Sequence, residues 1–384
     1  MDCYMKRILN ERNSACILEK QYPQRNRKII YYYPTPIEKP DASLLGCMHL
    51  SKPASKNLKY NSIYIHIPFC KSICEYCSFI KVIKEDALVE RYITALKKEI
   101  EIYAKSEYVR HIDFSVIFFG GGTPTVIGKE NLVDIIQTLF KKFNISENYE
   151  LTVEGTLSTF TDDMLLALKG CGVNRISMGV QTFDDMIGKK LNLPKKKQST
   201  AEQIINNAYN IGIKEINIDL MYDLPEQTLE IFENDLRKAV KTKITHISLF
   251  PMNILSDSII YKKMEDKKEL KQFLDGEKDY SYYATACDIL SKNGFTQKTP
   301  QDWFREGHTF LLNIYELDYM CDRIGLGVSS LGEINGITYI NKVSIPEYIE
   351  SMLNAPEKLP LASYSTIWDI EMTKYIFSIK TSHV

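Results

Sequence analysis

From Ile63 onward, six short β-rich runs alternate with amphipathic stretches, and that alternation restricts the chain to a parallel α/β architecture. The β-rich runs are IYIHIPF, DFSVIFFGGG, ELTVEGT, NRISMGVQTF, EINIDLMYDLP and HISLFPM. Between them lie ALVERYITALKKEIEIYAK, NLVDIIQTLFKKF, TDDMLLALKGCG, TAEQIINNAYNIG and TLEIFENDLRKAVK. In the first of these, Leu88, Tyr92, Ala95, Leu96 and Ile100 recur at spacings of three and four, which is one face of a helix. Six strand–helix units in series fit either an incomplete barrel of the triosephosphate isomerase kind or an open doubly wound sheet. Both place chemistry where strands end and the next loops begin.

The unusual residues lie at those strand ends. Cys70, Cys74 and Cys77 follow the first strand and GGGTPT the second; Glu154 lies in the third, Gln181 in the fourth and Asp219 in the fifth. One ring of function is the simplest account. Residues 1–60, with IIYYYPTPIEKP and no periodicity, read as an N-terminal extension; 61–260 form the barrel core and 261–384 a C-terminal α/β region. A net charge of −1 gives no reason to expect nucleic acid or an acidic membrane surface. No apolar run approaches the ~18 residues of a membrane span, and the N-terminus lacks the apolar core of a secretory signal. These features predict a cytoplasmic protein, and an odd count of nine cysteines fits a reducing compartment. There, clustered thiols point to metal or redox work, and the scattered ones are buried free thiols.

The three clustered cysteines have the spacing C-x3-C-x2-C. Structural zinc takes four ligands, usually as two separated pairs, so zinc here needs a remote fourth ligand. A [4Fe–4S] cluster normally takes one thiolate per iron, so three cysteines leave one iron open to an exogenous ligand. An open iron is a reaction site.

This motif, with Tyr76 before its last cysteine, resembles the radical S-adenosylmethionine superfamily. YIHIPFC, FFGGGTPT, NRISMGVQTF, INIDLMYDLP, HISLF and RIGLGVSSLGEINGITYIN are more closely similar to the oxygen-independent coproporphyrinogen III oxidase family, from Tyr64 to about Tyr348. The resemblance implies a partial (β/α)6 barrel that carries a [4Fe–4S] cluster on Cys70, Cys74 and Cys77. The amino and carboxylate groups of S-adenosylmethionine then occupy the fourth iron, and reductive cleavage gives a 5′-deoxyadenosyl radical. By the same resemblance Tyr64, Tyr76, Gly121, Gly122, Thr123 and Glu154 lie at the cofactor, Gln181 and Asp219 touch a second S-adenosylmethionine, and Asn253 and Leu331 line the cofactor further out. A flavodoxin or ferredoxin donates the electron.

Three departures separate the chain from the decarboxylating oxidase. Phe79 stands where that enzyme has a further cysteine, and Leu193 stands where it has an arginine after the glutamine. The chain also runs out soon after the family's C-terminal helical region begins, so that region is expected to be truncated. With Gln181 and Asp219 retained, the expected activity is one-carbon transfer, methylation or cyclopropanation, from a second S-adenosylmethionine to a small-molecule substrate. The alternatives are oxidative decarboxylation of a porphyrinogen and, from another class, a haem-binding chaperone with His49, His246 and His308 as candidate ligands. Trp303 is a candidate for facing the substrate, and Tyr280, Tyr283 and Cys287 are expected to pack on the barrel.

Overall fold

A computed structural model describes residue 50 and residues 61–193, 198–254, 258–266, 276–299, 301–311, 321–334, 337–354 and 361–366. Most of the N-terminal extension, including His49, therefore lies outside the described residues, as do Lys195, Lys196 and Lys197. Six parallel strands form the centre: β1 (Ser62–Ile67), β4 (Asp113–Gly121), β5 (Asn144–Thr156), β6 (Arg175–Gln181), β7 (Glu215–Tyr222) and β8 (His246–Pro251). They coincide with the six runs read from the sequence. A separate two-stranded ribbon, β2 (Phe69–Cys70) with β3 (Val82–Ile83), brackets the cysteine loop.

Helices return the chain between the strands: α1 (Asp86–Lys105), the short α2 (Glu107–Arg110), α3 (Lys129–Lys142), α4 (Asp162–Gly170), α5 (Asp185–Lys190), α6 (Gln198–Ile211) and α7 (Leu229–Val240). Their starts are set by local chemistry. Thr161, Asp184 and Thr228 each accept a hydrogen bond from a backbone N–H of the first turn, satisfying donors that a helix start leaves orphaned. Beyond β8 come α8 (Ile259–Asp266), α9 (Gly276–Lys292) and α10 (Ile345–Asn354).

Residues past 260 extend the same sheet at both ends. β9 (Phe295–Gln297) and β10 (Asp302–Arg305) add antiparallel strands beside β8. β11 (Arg323–Leu326) lies parallel to β1, followed by antiparallel β12 (Leu331–Ile334), β13 (Ile337–Asn341) and β14 (Leu361–Thr366). The described sheet thus has twelve strands in the order β14-β13-β12-β11-β1-β4-β5-β6-β7-β8-β10-β9 and does not close. The described part of residues 261–384 thus contributes both helices and strands.

Each central strand has two chemically distinct faces. Ile63, Ile65, Ile67, Ile117, Phe119, Leu151, Val153, Ile176, Met178, Ile216, Ile218, Ile247 and Leu249 pack into one apolar core with the helices. The alternate residues are polar or aromatic: Tyr64 and His66, Thr152 and Glu154, Arg175 and Ser177, Glu215, Asn217 and Asp219, His246 and Ser248. A parallel sheet covered on both faces reads apolar throughout. A face that is buried yet polar instead lines a chamber.

One expectation fails through the phase of an element. Trp303 faces the core opposite Ile247, and its neighbours Asp302 and Phe304 face the chamber. On α9 the fully buried aromatic is Tyr282, with Tyr283 packed partly against the core and Cys287 within it; Tyr280 is only half-buried.

Candidate cofactor site

The site is assembled from the carboxyl ends of β1, β4, β5, β6 and β7. Cys70 ends β2, directly after β1, and Cys74 and Cys77 close a turn in which the Cys77 N–H donates to the Cys74 carbonyl at 3.2 Å. All three thiols are unbridged and half-buried. Lys81 Nζ donates to the Cys77 carbonyl at 2.6 Å, and Lys84 N–H donates to the Cys70 carbonyl at 2.9 Å, so the loop's exit is tied to the backbone of its cysteines. Burial, more than any neighbour, raises the Cys70 thiol pKa, while Thr123 Oγ1 donates to its sulfur at 3.7 Å and opposes that rise.

The glycine-rich segment lies against this loop. Gly122 and Thr123 donate their N–H groups to the carbonyls of Ile67 and Phe69, each at 2.8 Å. Gly121 holds φ +114°, and a Cβ there would stand 2.8 Å from the His66 ring. A Cβ on Gly122 would meet the Phe69 carbonyl oxygen at 2.8 Å and Cys70 Sγ at 3.0 Å. Only glycine permits that backbone conformation and that approach.

His66 links strand and loop. Its Nε2 lies 3.2 Å from the Ile80 carbonyl and its Nδ1 lies 3.1 Å from the Tyr64 hydroxyl. A carbonyl only accepts, so Nε2 carries the proton and Tyr64 donates to Nδ1. Tyr64 is further fixed by stacking on Phe118.

The Glu154 carboxylate accepts the Gly121 N–H and faces Asp219. Burial first, then the Asp219 charge, pushes its pKa up to about 8, against the pull of Gly121 and Arg175. Asp219 accepts from Asn217 Nδ2 at 2.8 Å, and Asn217 also donates to Ser177 Oγ at 2.9 Å. Burial raises Asp219 to about 7 despite the bond from Asn217 and the charge of Arg175. Tyr76 is half-buried beside Cys74, Cys77 and Asp219, which joins the cysteine loop to β7. Gln181 holds φ +66°, a strained conformation for a non-glycine residue, at an irregularity in the β6–β7 register. Asn253, just past β8, and Leu331, opening β12, are half-buried and share with the others only a place at a strand end.

Below this ring lies a network that the sequence reading missed. Arg175, 1% exposed, sits over the Phe310 ring at 3.8 Å and donates to His246 Nδ1. Because a guanidinium only donates, His246 carries its proton on Nε2 and gives it to Asp302 Oδ1 at 2.9 Å. Ser248 and Thr299 also donate to Asp302. The signal was available in NRIS and EINID, where polar residues recur at every second position.

These buried groups predict a specific pH dependence for the metal-free protein. Carboxyls such as Glu154 and Asp219 release protons near pH 4 when unfolded but hold them to about 8 and 7 when folded. Glu99 and Glu333, raised to about 7 by burial, act with the same sign. The folded state binds more protons in that window, so stability falls as pH rises from about 6.5 to 8, by on the order of 1–2 kcal/mol. Between about pH 4 and 6.5 His66 and His246, held to about 4 by burial, offset part of that fall, because the unfolded imidazoles take up protons first, but two imidazoles do not outweigh four carboxyls. Melting temperatures should fall as pH rises from 5 to 8, and Glu154→Gln should make that fall shallower. A melting temperature that climbs steadily to pH 8 would contradict these charge states.

A sequence profile of the Radical SAM superfamily matches residues 64–239. The heme chaperone HemW of Lactococcus lactis is 30% identical over 296 residues, spanning 76% of this chain and 75% of that protein. This chain belongs to the radical S-adenosylmethionine superfamily, in the family of the oxygen-independent coproporphyrinogen III oxidase. Within that family, the Bradyrhizobium diazoefficiens oxidase is 29% identical over 303 residues, covering 76% of this chain and 66% of the oxidase. The Escherichia coli coproporphyrinogen III oxidase structure shares the fold, with a TM-score of 0.76 over 91% of this chain and 80% of that one at 22% identity.

Membership of the radical S-adenosylmethionine superfamily implies a [4Fe–4S] cluster and S-adenosylmethionine, and the residues present fit both. Three unbridged thiols lie on one loop whose floor, at Gly122, has no room for a side chain. When bound, the cluster supplies the electron that cleaves S-adenosylmethionine. The chain's own part would be to hold the loop, to present backbone from Gly121 to Thr123, and to set the half-buried Glu154 and Asp219 where a cationic group can meet them. No described helix is long and apolar enough to cross a membrane.

Proposed function

We propose that this chain carries a [4Fe–4S] cluster on Cys70, Cys74 and Cys77, binds S-adenosylmethionine against Tyr64, Tyr76, Gly121–Thr123 and Glu154, and takes haem as its ligand in the manner of a chaperone. Residues 61–260 serve as the cluster-bearing core, residues from 261 on as flanking elements, and a flavodoxin- or ferredoxin-type protein as reductant. The observation that carries this reading is the likeness to the Lactococcus lactis heme chaperone over three quarters of both chains. The departures agree with it. Phe79 is 66% exposed beside the loop, and Leu193 is buried among apolar side chains, so neither offers the thiol or guanidinium expected of the decarboxylase.

One-carbon transfer, the activity expected from the sequence, rests on Gln181 and Asp219 alone, and the relatives named above lend it no support. Of the histidines considered as haem ligands, His246 is held by Arg175 and Asp302, and His308 by Glu215 at 2.8 Å. Haem held through either would break a buried or half-buried pair.

Anaerobically reconstituted protein should bind one haem per chain in an absorbance titration and leave it chemically unchanged during incubation with S-adenosylmethionine and dithionite. Failure to bind haem, with S-adenosylhomocysteine formed instead, would return the assignment to one-carbon transfer. Carbon dioxide released from a porphyrinogen would make the chain a decarboxylase.

A further inference from the structure

The cysteine loop is gripped from two sides by segments remote in sequence. After Gln181 the chain is pinned by Asp235, which accepts from Thr182 Oγ1 at 2.6 Å and from the Phe183 N–H at 2.8 Å, before it enters α5. At the end of α5, Asn192 adopts φ +54° while the Leu193 N–H donates to the Gly188 carbonyl at 2.8 Å, a left-handed helix stop. That stop turns the Asn192 side chain toward the loop, where Nδ2 donates to the Ile73 carbonyl at 2.8 Å. The adjacent Leu191 carbonyl accepts the Glu75 N–H at 3.1 Å.

From the other side, α8 completes the grip. Ile260 N–H donates to the Glu75 carbonyl at 3.0 Å, and Lys263 Nζ donates to Glu75 Oε1 at 2.5 Å. Glu75 is thus fixed at its N–H, its carbonyl and its carboxylate, and Cys74 lies between it and Ile73. Beneath the grip is a second apolar cluster, separate from the main core, built from Ile187, Leu191, Leu193, Met221, Met252 and Met264 among others; Cys74 and Tyr76 pack against it. Leu193, a departure from the oxidase, is part of this support.

We propose that Asn192 and Lys263 are positioning residues that act through Ile73 and Glu75 to hold Cys74, and with it the cluster's open iron, in register with the chamber. The proposal rests on the cluster reading given above. It adds that residues more than a hundred positions away, besides the loop's own hydrogen bonds, set the loop's geometry. Asn192 follows from the strand end that carries Gln181, and Met221 lies two residues past Asp219, so the same strand ends that line the chamber also support the loop.

Three variants test this on anaerobically reconstituted full-length protein. Asn192→Asp keeps a residue tolerant of positive φ but replaces the donor with a carboxylate facing a carbonyl. Lys263→Met removes the ion pair from an exposed helix position, and Lys263→Arg restores it. Iron and sulfide content, the rate of cluster loss to a chelator, and the electron paramagnetic resonance spectrum of the reduced cluster before and after S-adenosylmethionine are the readouts. Asn192→Asp and Lys263→Met should load iron normally, lose the cluster about five- to tenfold faster, the factor one hydrogen bond commands, and show an altered spectral response to S-adenosylmethionine. Lys263→Arg should behave as the parent protein, and melting temperatures of all three should stay with it. Parent-like loss rates and spectra in Asn192→Asp and Lys263→Met would overturn the proposal, as would melting temperatures that fall in step with cluster loss. A parent protein that takes up no cluster would instead overturn the cluster reading itself.

Discussion

Cys74→Ala should abolish cleavage of S-adenosylmethionine: 5′-deoxyadenosine should fall below detection and the iron content drop well below the four atoms per chain of a full cluster. This outcome follows from the ligand count. With one thiolate per iron the chain already leaves one iron open, and removing Cys74 leaves two irons without a protein ligand. Nothing nearby replaces it, because Tyr76 is half-buried with its proton held well above the ordinary phenol range, and Ser78 follows Cys77 without the softness iron prefers. Cys171→Ala is the comparison variant, since Cys171 bonds to the Leu168 carbonyl on α4 and lies outside the ring. It should keep both iron and activity. A Cys74→Ala protein that retained a full cluster and normal cleavage would remove the foundation of the assignment.

Gly122→Ala should be nearly as severe for a purely steric reason. Its methyl group would meet the Phe69 carbonyl oxygen at 2.8 Å and the Phe69 nitrogen at 3.0 Å, and backbone cannot swing aside as a side chain can. Relief requires β2 to move, and Cys70 moves with it. Overpacking of this kind costs about 1–3 kcal/mol. The functional loss should exceed the stability loss, because a shift of about 1 Å in a reacting constellation is worth roughly a hundredfold in rate. Gly170→Ala provides the contrast, as no atom lies within 4 Å of the added carbon. Measured together, cleavage rate and melting temperature should separate the two. If Gly122→Ala cleaved at the parent rate, the glycine segment would not be part of the cofactor cradle.

The parts that were legible in the sequence are those in which a short segment decides its own fate. All six central strands and the helices between them, except the short α2 and α5, follow from local periodicity, and the cysteine spacing marks the loop without reference to anything distant. The outer strands were less legible because they are only three to six residues long, too short for alternation to declare itself. Trp303 shows the difficulty: a strand of four residues can be read in either phase, and its neighbour in the sheet, Ile247, decides which side chain faces the core. Arg175 and His246 were hidden for another reason. Their meaning lies in a contact across 71 positions, with Asp302 as the third member, and no spacing rule connects them. Leu193 likewise reads as a missing arginine in the sequence and as a supporting wall in the fold.

The two-faced character of the central strands has an evolutionary corollary. Side chains that meet the helices and side chains that meet the chamber alternate along one backbone, so a substitution at an even position leaves the odd ones untouched. Selection can therefore rewrite the chamber's chemistry residue by residue without renegotiating the packing that keeps the molecule folded. Descendants of one ancestor are then free to diverge in what they handle while remaining superimposable, which makes the backbone a poor guide to the task of any one member and the chamber-facing register the place to compare them.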